Sequence, residues 1–473
     1  MKYVASILVL ASIVLCGELI GFTHVRNDSV LDQRLIIADE MQAVLTKELD
    51  QWYPRCIDSL YGGYFSDFDY QWKLNGSQNK MIVTQARHVW SASNATLFFK
   101  NDTMFRKYAH HGVDFLSEKM WDKDYGGFYE LVSREGTPIL KNEYGAKTAY
   151  GNAFAIYGLA TYYRISGDTL ALKLAQKAFW WLEKHSYDSK YGGYIQHISR
   201  GGSPYNDGLI INSSGGILDS TVNTIPPKNQ NSSIHVLEAF IELYRIWPDS
   251  IVRERLNSIL HVVRDVCTTP QGYLTLFFQQ NWKSVTFKYA SAEVRVQNYY
   301  YDHVSFGHDV ETAYLMIEAL NVLGIRNDTI TLRIAKKMVD HALINGWDKE
   351  HGGLFDGGYY MPGDEKCKII RRTKEWWAQA EALNSFLLMA ELYPIDILRY
   401  YEKFLAQWDY CRKYVIDNQY GGWYWGGADI VPSIIKSPKG SIWKGNYHTS
   451  RSLINCINRL HNKVEIELKK VAR

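Results

Sequence analysis

The sequence carries little excess charge, few cysteines and, beyond residue 15, no long hydrophobic run. The formal net charge of +3 is small for 473 residues, so nothing indicates a nucleic-acid-binding face or a polybasic membrane patch. Apart from Cys16 near the N-terminus, five cysteines without close pairing remain: Cys56, Cys267, Cys367, Cys411 and Cys456. An odd number argues against a complete disulfide framework, so we expect mostly buried thiols. No later segment is apolar enough to cross a membrane.

The first residues have the pattern of an export signal. Lys2 gives a short positive region, and residues 3–15 form an unbroken apolar or small run that is too short to span a bilayer comfortably. Cys16 follows this run and allows a bacterial lipoprotein anchor, although Leu15 stands where a small residue is expected. A cleaved signal, a lipid anchor and an uncleaved anchor all stay open. We predict a signal over residues 1–21, export (periplasmic, secreted or lipid-anchored) and a single domain over residues 22–473.

Aromatic residues are abundant. They make up 14% of the chain, with 15 Trp and 34 Tyr, and the hydrophobic fraction of 46% is typical of a folded protein. Large flat rings fill protein cores, and they also stack on the apolar faces of sugars. The composition therefore allows a sugar site without requiring one.

A short glycine motif recurs along the chain. Tyr-Gly-Gly followed by an aromatic residue begins at Tyr61, Tyr125, Tyr191 and Tyr420, with variants beginning at His351 and Gln271. The six copies are 64 to 80 residues apart. Paired glycines allow the positive φ angles of a tight hairpin, and the neighbouring aromatic residues suit short strands. The motif therefore predicts six hairpin turns.

Between these turns the apolar residues fall at spacings of three and four, which is typical of amphipathic helices. This periodicity predicts about twelve helices, over residues 31–52, 84–100, 104–120, 148–166, 169–186, 232–247, 251–267, 308–324, 330–345, 374–392, 396–416 and 447–461. Several starts carry capping signals, such as Thr84, Ser232 and Thr373.

Two helices for each turn predict an all-α protein with the architecture of a closed (α/α)6 barrel and short β-hairpins at the turns. An open stack of repeats would need polar capping repeats at its ends, whereas the first and last helices here are amphipathic. In such a barrel the alternate, even-numbered helices form an inner ring. Residues 200–230 are rich in Gly, Ser, Asn and Pro, so we expect a long loop over one mouth of the barrel. We expect a monomer.

Five of the six inner helices begin with polar or aromatic residues that a pure core would not use. These residues are Arg87, Asn231, His235, His308, Glu311, Trp377, Glu381 and His448, with Trp443 just before the last helix. His308 and Glu311 share a helix face because they are three residues apart, and Asn231 with His235 and Trp377 with Glu381 do so at four. Parallel inner helices would bring all of these side chains to one end of the barrel. Imidazoles there could take and return protons near neutral pH.

Each of these residues also has an ordinary structural interpretation. A lone helical histidine is more often a core or surface residue, and the pair of His308 and Glu311 can be a face-sharing ion pair. A tryptophan pair is usually part of a core. The simultaneous presence of such residues on five inner helices is what favours a functional site.

Three segments resemble signature stretches of the cellobiose 2-epimerases, which belong to the N-acylglucosamine 2-epimerase superfamily. They are FGHDVE at residues 306–311, KEWWAQAEA at 374–382 and YHTSR at 447–451. RHVW at 87–90 and the stretch 231–235 also resemble this family, and the similarity runs in order over nearly the whole chain. The resemblance implies an (α/α)6 barrel, in agreement with the repeats.

The resemblance also implies roles for individual residues. His308 and His448 would be the acid/base pair of a sugar epimerase. The sugar site would be lined by Arg87, Asn231, His235, Glu311, Trp377, Glu381 and Trp443. Neither a cofactor nor a metal ion is expected.

The implied reaction is inversion at C2 of the reducing-end glucose of a β-1,4-linked disaccharide such as cellobiose, mannobiose or lactose. One histidine would remove the C2 proton of the open-chain aldehyde, leaving a cis-enediolate, and the second would return a proton to the other face. Arg87 would stabilise the enediolate oxygen, and Glu311 would orient His308. Trp377 and Trp443 would stack on the sugar rings.

Four alternatives stay open from the sequence. The first is a monosaccharide 2-epimerase or an aldose–ketose isomerase of the same superfamily. The second is an inverting glycoside hydrolase with Glu311 and Glu381 as its two carboxylates. The third is a sugar-binding lipoprotein without catalytic activity. The fourth is a metal site at His303, His308 and Glu311, whose spacing matches no established signature.

Overall fold

The computed structural model describes residues 33–100, 102–140, 146–210 and 224–471. The chain divides into two compact units, one of Lys47–Ser452 and a smaller one of Met1–Thr46 with Leu453–Arg473. In the smaller unit, residues 33–46 and 453–471 are helical. The signal predicted over residues 1–21 lies outside the described residues, and the single domain over 22–473 stays a prediction. None of the helices in the described ranges is long and apolar enough to cross a membrane.

The described residues contain thirteen α-helices. They are α1 (33–52), α2 (Ile82–Phe98), α3 (Thr103–Phe115), α4 (Ala149–Ser166), α5 (Thr169–His185), α6 (Gln230–Ile246), α7 (Ser250–His261), α8 (Ala292–Asp302), α9 (Phe306–Leu323), α10 (Thr329–Asn345), α11 (Trp376–Leu392), α12 (Tyr400–Tyr410) and α13 (Tyr447–Val471). The twelve predicted helices are confirmed within a few residues at most ends, but α13 runs ten residues further. The short helix α8 was not predicted, because it lies in the long connection between two repeats and carries little periodic apolar character.

The structure corrects the predicted capping residues. Ser232 lies inside α6, where its backbone N–H donates to the Asn229 side chain at 2.7 Å, so Asn229 is the cap. Thr84 lies inside α2 and its hydroxyl donates to the carbonyl of Ile442. The capping signals at Thr84 and Ser232 predict starts two residues too late. Helices α2 and α6 begin directly after the short strands that precede them.

Short antiparallel strands precede the helices that carry the polar residues. They pair as β1 (Lys80–Met81) with β2 (Leu131–Val132), β3 (Lys147–Thr148) with β4 (His197–Ile198), β5 (Leu209–Ile210) with β6 (Thr224–Ile225), β7 (Lys228–Asn229) with β8 (Phe277–Phe278), and β10 (Gly357–Tyr359) with both β9 (Val304–Ser305) and β11 (Lys368–Arg371). Strands β1, β3, β7 and β9 lead directly into α2, α4, α6 and α9, so strand pairing fixes where these helices begin.

The six glycine motifs form the predicted hairpin turns. In the first copy Gly62 and Gly63 have φ angles of +83° and +67°, and the bridge Ile57–Tyr64 closes the turn. A side chain at Gly63 would meet the Phe115 ring at 2.8 Å, so both the backbone angle and the space require glycine. The divergent copy at Gln271 is also confirmed, because the bridge Thr268–Leu274 closes it.

A buried lysine–aspartate pair supports five of the six turns, a feature that the sequence analysis did not identify. The Nζ–Oδ2 distances are 3.0 Å for Lys80–Asp58, 2.9 Å for Lys147–Asp122, 2.8 Å for Lys228–Asp188, 2.8 Å for Lys374–Asp348 and 2.6 Å for Lys439–Asp417. Each aspartate stands three residues before the Tyr-Gly-Gly motif or its His-Gly-Gly variant. In the sixth turn Thr269 follows the bridge residue, as the aspartates do in the others, and its hydroxyl donates to the carbonyl of Tyr273 at 2.8 Å.

Within the unit Lys47–Ser452 the inner helices follow one another in cyclic order. Contacts join α2 to α4, α4 to α6, α6 to α9 and α9 to α11. The first turn of α13 completes the order, because Ser452 donates to the carbonyl of Ala380 on α11 and the Tyr447 ring lies 5.1 Å from that of Trp90 on α2. The helices α3, α5, α7, α10 and α12 each pack on the inner helix that precedes them. Inner helices therefore start at the same end as the turns.

We predict that Lys228→Met lowers the free energy of unfolding by about 3–5 kcal/mol, since it leaves the buried carboxylate of Asp188 without its cation. Both side chains are at most 4% exposed. Urea titration followed by tryptophan fluorescence measures the change. The matched control is Lys190→Met on the exposed part of the same turn, where we expect less than about 0.5 kcal/mol. Equal stability of the two variants would contradict a supporting role for the pair.

Candidate active site

The first two to three turns of four inner helices bring charged side chains together around one guanidinium group. Arg451 on α13 is 1% exposed and contacts three carboxylates from three different helices. Its Nη1 donates to Glu238 on α6, and its Nη2 donates to Glu311 on α9 and to Glu381 on α11, the latter at 2.6 Å. One buried cation thus joins four helices at the level where the polar residues converge.

Glu238 links this guanidinium to His235. The Nδ1 atom of His235 lies 2.8 Å from one carboxylate oxygen of Glu238, and the Tyr447 hydroxyl donates to the other oxygen. Burial raises the pKa of Glu238, but Arg451, His235 and Tyr447 outweigh this effect and hold the pKa at about 2. Glu238 is therefore a fixed negative charge at neutral pH.

His448 forms a pair with Glu381. Its Nδ1 lies 2.7 Å from Glu381 Oε1 and 3.8 Å from Glu311 Oε1. Because a carboxylate accepts hydrogen bonds, this contact assigns the proton of the neutral ring to Nδ1 and leaves the lone pair on Nε2. Burial lowers the pKa of His448 well below its ordinary range, and nearby Arg87 lowers it further. The ring is therefore neutral at pH 7.

His308 has a different partner from the one expected. Its Nδ1 lies 2.7 Å from the hydroxyl of Ser305, while Glu311 bonds Arg451. The prediction that Glu311 orients His308 is wrong. The two residues share a helix face, but the carboxylate of Glu311 accepts a hydrogen bond from the buried guanidinium of Arg451. Burial lowers the pKa of His308 to about 3, so this ring too is neutral at pH 7.

The indole of Trp377 contacts both histidines. Its ring centre lies 4.7 Å from that of His308 and 5.7 Å from that of His448. The indole N–H donates to Glu375 at 2.7 Å, which holds the ring. His308 and His448, predicted from separate helices, therefore lie against a single tryptophan. Neither Nε2 atom is hydrogen-bonded to any residue in the described parts of the chain.

Arg87 contacts the aromatic ring of Tyr447. Its guanidinium is 4.9 Å from the Tyr447 ring and 4.4 Å from the Phe154 ring, and it donates to the Tyr150 hydroxyl at 3.0 Å. The residue is 5% exposed. Neutral aromatic groups surround this cation, so its charge is available to an anionic ligand.

Two predicted site residues are less firmly tied to this group. Trp443 is 50% exposed, and Asn231 is partly exposed at the start of α6. Within the described ranges, no side-chain hydrogen bond or ring contact joins either of them to the other site residues. Their assignment to the sugar site stays a prediction.

Comparison with known proteins agrees with this geometry. The family model described as N-acylglucosamine 2-epimerase (GlcNAc 2-epimerase) matches residues 63–207 and 210–449. A cellobiose 2-epimerase of Ruminococcus albus is 30% identical over 431 residues, which cover 90% of this chain and 99% of that protein. A cellobiose 2-epimerase of Bacteroides fragilis is 25% identical over 430 residues, covering 89% and 99% respectively.

The chain belongs to the N-acylglucosamine 2-epimerase family. The solved structure of cellobiose 2-epimerase from Bacillus thermoamylovorans matches with a TM-score of 0.76 at 26% identity, covering 90% of this chain and 99% of that one. The predicted family and the predicted (α/α)6-barrel fold class with short hairpins are both confirmed. The protein is a carbohydrate epimerase.

Several residues in the signature stretches of this epimerase are structural rather than chemical. Asp309 accepts the N–H of Leu274 at 3.0 Å, and Gln379 exchanges two bonds with the backbone of Leu354 at 2.9 and 2.8 Å. Outside these stretches, Asn152 on α4 likewise accepts the N–H of Phe128 at 2.9 Å. Each of these side chains fastens an inner helix to the residue that ends a hairpin turn.

Arg451, Tyr447 and Ser305 were not predicted to be members of the site. Arg451 follows His448 by three residues and Tyr447 by four, so the helix spacing carried a signal. A stronger signal was the presence of Glu238, Glu311 and Glu381 on neighbouring inner helices, since three buried carboxylates at one level require a cation.

The geometry also bears on the alternatives of a metal ion and a hydrolase. Among the described residues, His303, His308 and Glu311 do not form a group whose ligand atoms all lie within 4.8 Å of one another. Glu311, Glu381 and His448 do form such a group, but the Arg451 guanidinium already bonds both carboxylates. An inverting hydrolase needs its carboxyl groups roughly 6.5–9.5 Å apart with water between them. Glu311 and Glu381 are closer and share one cation, so this pair does not suit that reaction.

We predict that Arg451→Met lowers the free energy of unfolding by about 3–5 kcal/mol, because three buried carboxylates lose their common cation. Arg451→Lys should recover only part of this loss, since an ammonium cannot reproduce the forked contacts. The control is Arg399→Met, which removes an ion pair whose side chains are 72% and 51% exposed and should cost at most about 1 kcal/mol. Urea unfolding measures all three. A fully stable Arg451→Met protein would show that the cluster is not held by this residue.

A pH effect is expected from His88, which follows Arg87 and is 1% exposed. Burial lowers the pKa of His88 from 6.5 to about 3. Between these pH values the unfolded chain binds a proton at this ring that the folded chain does not, so stability falls as the pH falls. His88→Gln should therefore reduce the slope of unfolding free energy against pH by up to about 1.4 kcal/mol per pH unit. Denaturant titrations from pH 7 to pH 4 test this, with His261→Gln on the exposed face of α7 as the control. An unchanged slope in the His88 variant would contradict the expectation.

Proposed function

We propose that this epimerase inverts C2 of the reducing-end glucose of a β-1,4-linked disaccharide, using His308 and His448 as the acid/base pair. The observation that carries the proposal is the contact of both imidazoles with the single ring of Trp377, at 4.7 and 5.7 Å. Relatives named cellobiose 2-epimerase match about nine tenths of the chain, which supports a disaccharide as the substrate class.

The chemistry needs two bases on opposite faces of one carbon. After the sugar ring opens to the aldehyde, one neutral imidazole accepts the C2 proton at Nε2, and the electron pair of the C–H bond forms the cis-enediolate. The second imidazole faces the other side of C2. Once the negative charge of the enediolate is present, that ring takes up a proton from water at Nε2 and delivers it to C2, and ring closure gives the mannose product. Proton exchange with water restores the two rings.

The environment of the histidines supports this use. Burial keeps both rings neutral at pH 7, so either can accept a proton. The carboxylates beside His448 favour its protonated form, and the negative charge of the enediolate favours it further. The pKa of each ring therefore responds to the charge that the substrate develops, which is what a proton-transfer pair requires.

Arg87 is placed to stabilise the enediolate. It is a permanent cation among neutral aromatic rings, and it bonds only a tyrosine hydroxyl among the described side chains. A donor of this kind, aimed at the developing oxyanion, is worth about 3 kcal/mol of the barrier. His235 and Asn231 would hold hydroxyl groups, and Trp377 would stack on a sugar ring. The half-exposed Trp443 would extend the stacking surface to the second sugar of a disaccharide.

The proposal is tested by incubating the protein with cellobiose in deuterated water and following C2 of the reducing end by NMR. We expect deuterium at C2 and a product with mannose at the reducing end. His308→Gln and His448→Gln should each lower the rate about 10²–10⁴-fold with the fold retained, because each removes one acid/base group. The control His110→Gln changes an exposed imidazole on α3 and should leave the rate unchanged.

Other products would point to the other candidates. A fructose-type ketose at the reducing end indicates an isomerase, and reaction of glucose or N-acetylglucosamine alone indicates a monosaccharide enzyme. Free monosaccharides from cellobiose indicate a hydrolase. Full activity in either histidine variant would remove that residue from the mechanism.

A further inference from the structure

The residue before α9 has a side chain that does not cap its helix. Ser305 occupies the N-cap position, where a serine hydroxyl ordinarily accepts a backbone N–H of the first turn, but it makes no such bond. Instead its Oγ lies 2.7 Å from Nδ1 of His308 at the third position of the helix.

Other inner helices use their N-cap side chains in the ordinary way. Thr148 accepts the N–H of Gly151 at 2.9 Å at the start of α4, and Asn229 accepts the N–H of Ser232 at 2.7 Å at the start of α6. Both helices begin from a short strand, as α9 does. The backbone at such a helix start therefore permits capping. Ser305 differs because its hydroxyl is hydrogen-bonded to the imidazole of His308.

The helix that carries Trp377 shows the same departure. Glu375 is the N-cap residue of α11 and makes no capping bond, but its carboxylate accepts the indole N–H of Trp377 at 2.7 Å. At both helices the capping position supports a side chain of the site instead of the helix end. Capping is worth about 1 kcal/mol, so its loss at these two positions has a measurable cost.

The hydroxyl of Ser305 is held firmly. Ser305 is 5% exposed, and its backbone pairs with Gly357 of β10 in the three-stranded sheet. The hydroxyl therefore has few positions open to it, and a bond from it restricts rotation of the His308 ring about its side-chain torsions.

We propose that Ser305 is a positioning residue that accepts the Nδ1–H of His308 and so keeps the lone pair of Nε2 directed at the sugar. This inference rests on the proposed function of His308 as an acid/base group. The same Nδ1–H bond is available when Nε2 is protonated, so the contact persists through proton transfer. A neutral hydroxyl stabilises a protonated imidazole less than a carboxylate does. Ser305 therefore stabilises protonated His308 less than Glu381 stabilises protonated His448.

The test compares Ser305→Ala with Ser305→Thr, which restores the hydroxyl, and with Thr148→Ala, which removes a true cap. Ser305→Ala should lower kcat about 10-fold or more with little change in KM for cellobiose, and should enlarge the kinetic isotope effect with substrate deuterated at C2. Its melting temperature should stay near that of the unchanged protein. Thr148→Ala should show the opposite pattern, with a lower melting temperature and an unchanged kcat.

A second measurement does not depend on activity. ¹⁵N NMR of the imidazole groups, with the His308 signals assigned by their loss in His308→Gln, should show the Nδ1–H tautomer in the unchanged protein and in Ser305→Thr. In Ser305→Ala we expect a mixture of tautomers. An unchanged tautomer together with unchanged kcat would overturn the positioning role, and so would a lower melting temperature with unchanged kinetics. If the unchanged protein shows no C2 exchange at all, the proposed function fails, while the tautomer comparison still tests the contact between Ser305 and His308.

Discussion

The bonding of one buried guanidinium to three carboxylates is the constraint on which the site depends. Arg451 contacts Glu238, Glu311 and Glu381 from three inner helices, and two of these carboxylates hold the histidines His235 and His448. Burying ions is expensive, and the removal of one member of such a cluster leaves the opposite charges buried without compensation. Because each helix contributes one member, the relative placement of the helices and the orientation of the imidazoles are fixed together.

The two proposed acid/base groups differ in their supporting contacts. His448 has a carboxylate on Nδ1 and a second one at 3.8 Å, whereas Nδ1 of His308 lies against the neutral hydroxyl of Ser305. Both rings contact the same indole and are neutral at pH 7, but their different partners make their pKa values respond differently when charge develops on the sugar. An enzyme that works in both directions at one carbon needs two such groups, but it does not need them to be identical.

Much of the fold could be predicted from the sequence because its signals are local and repeated. Helical periodicity and the glycine turns depend on neighbouring residues, so twelve helices and six turns were found, including the divergent turn at Gln271. The helix α8 lacks both signals. Residue types at helix starts also predicted that Arg87, His235, His308 and His448 belong together. Which partner each side chain takes depends on distances between helices, so the contact of Ser305 with His308 and the true partner of Glu311 could not be predicted.

The proposed mechanism requires His308 and His448 to reach opposite faces of one carbon atom. The most direct measurement is a crystal structure of the protein with the open-chain alditol of a β-1,4-linked disaccharide, which cannot react. The account predicts C2 between the two imidazoles, with each Nε2 at about 3–3.5 Å on opposite sides and the Trp377 ring alongside. An alditol bound with C2 near only one of these rings, or bound away from both, would contradict it.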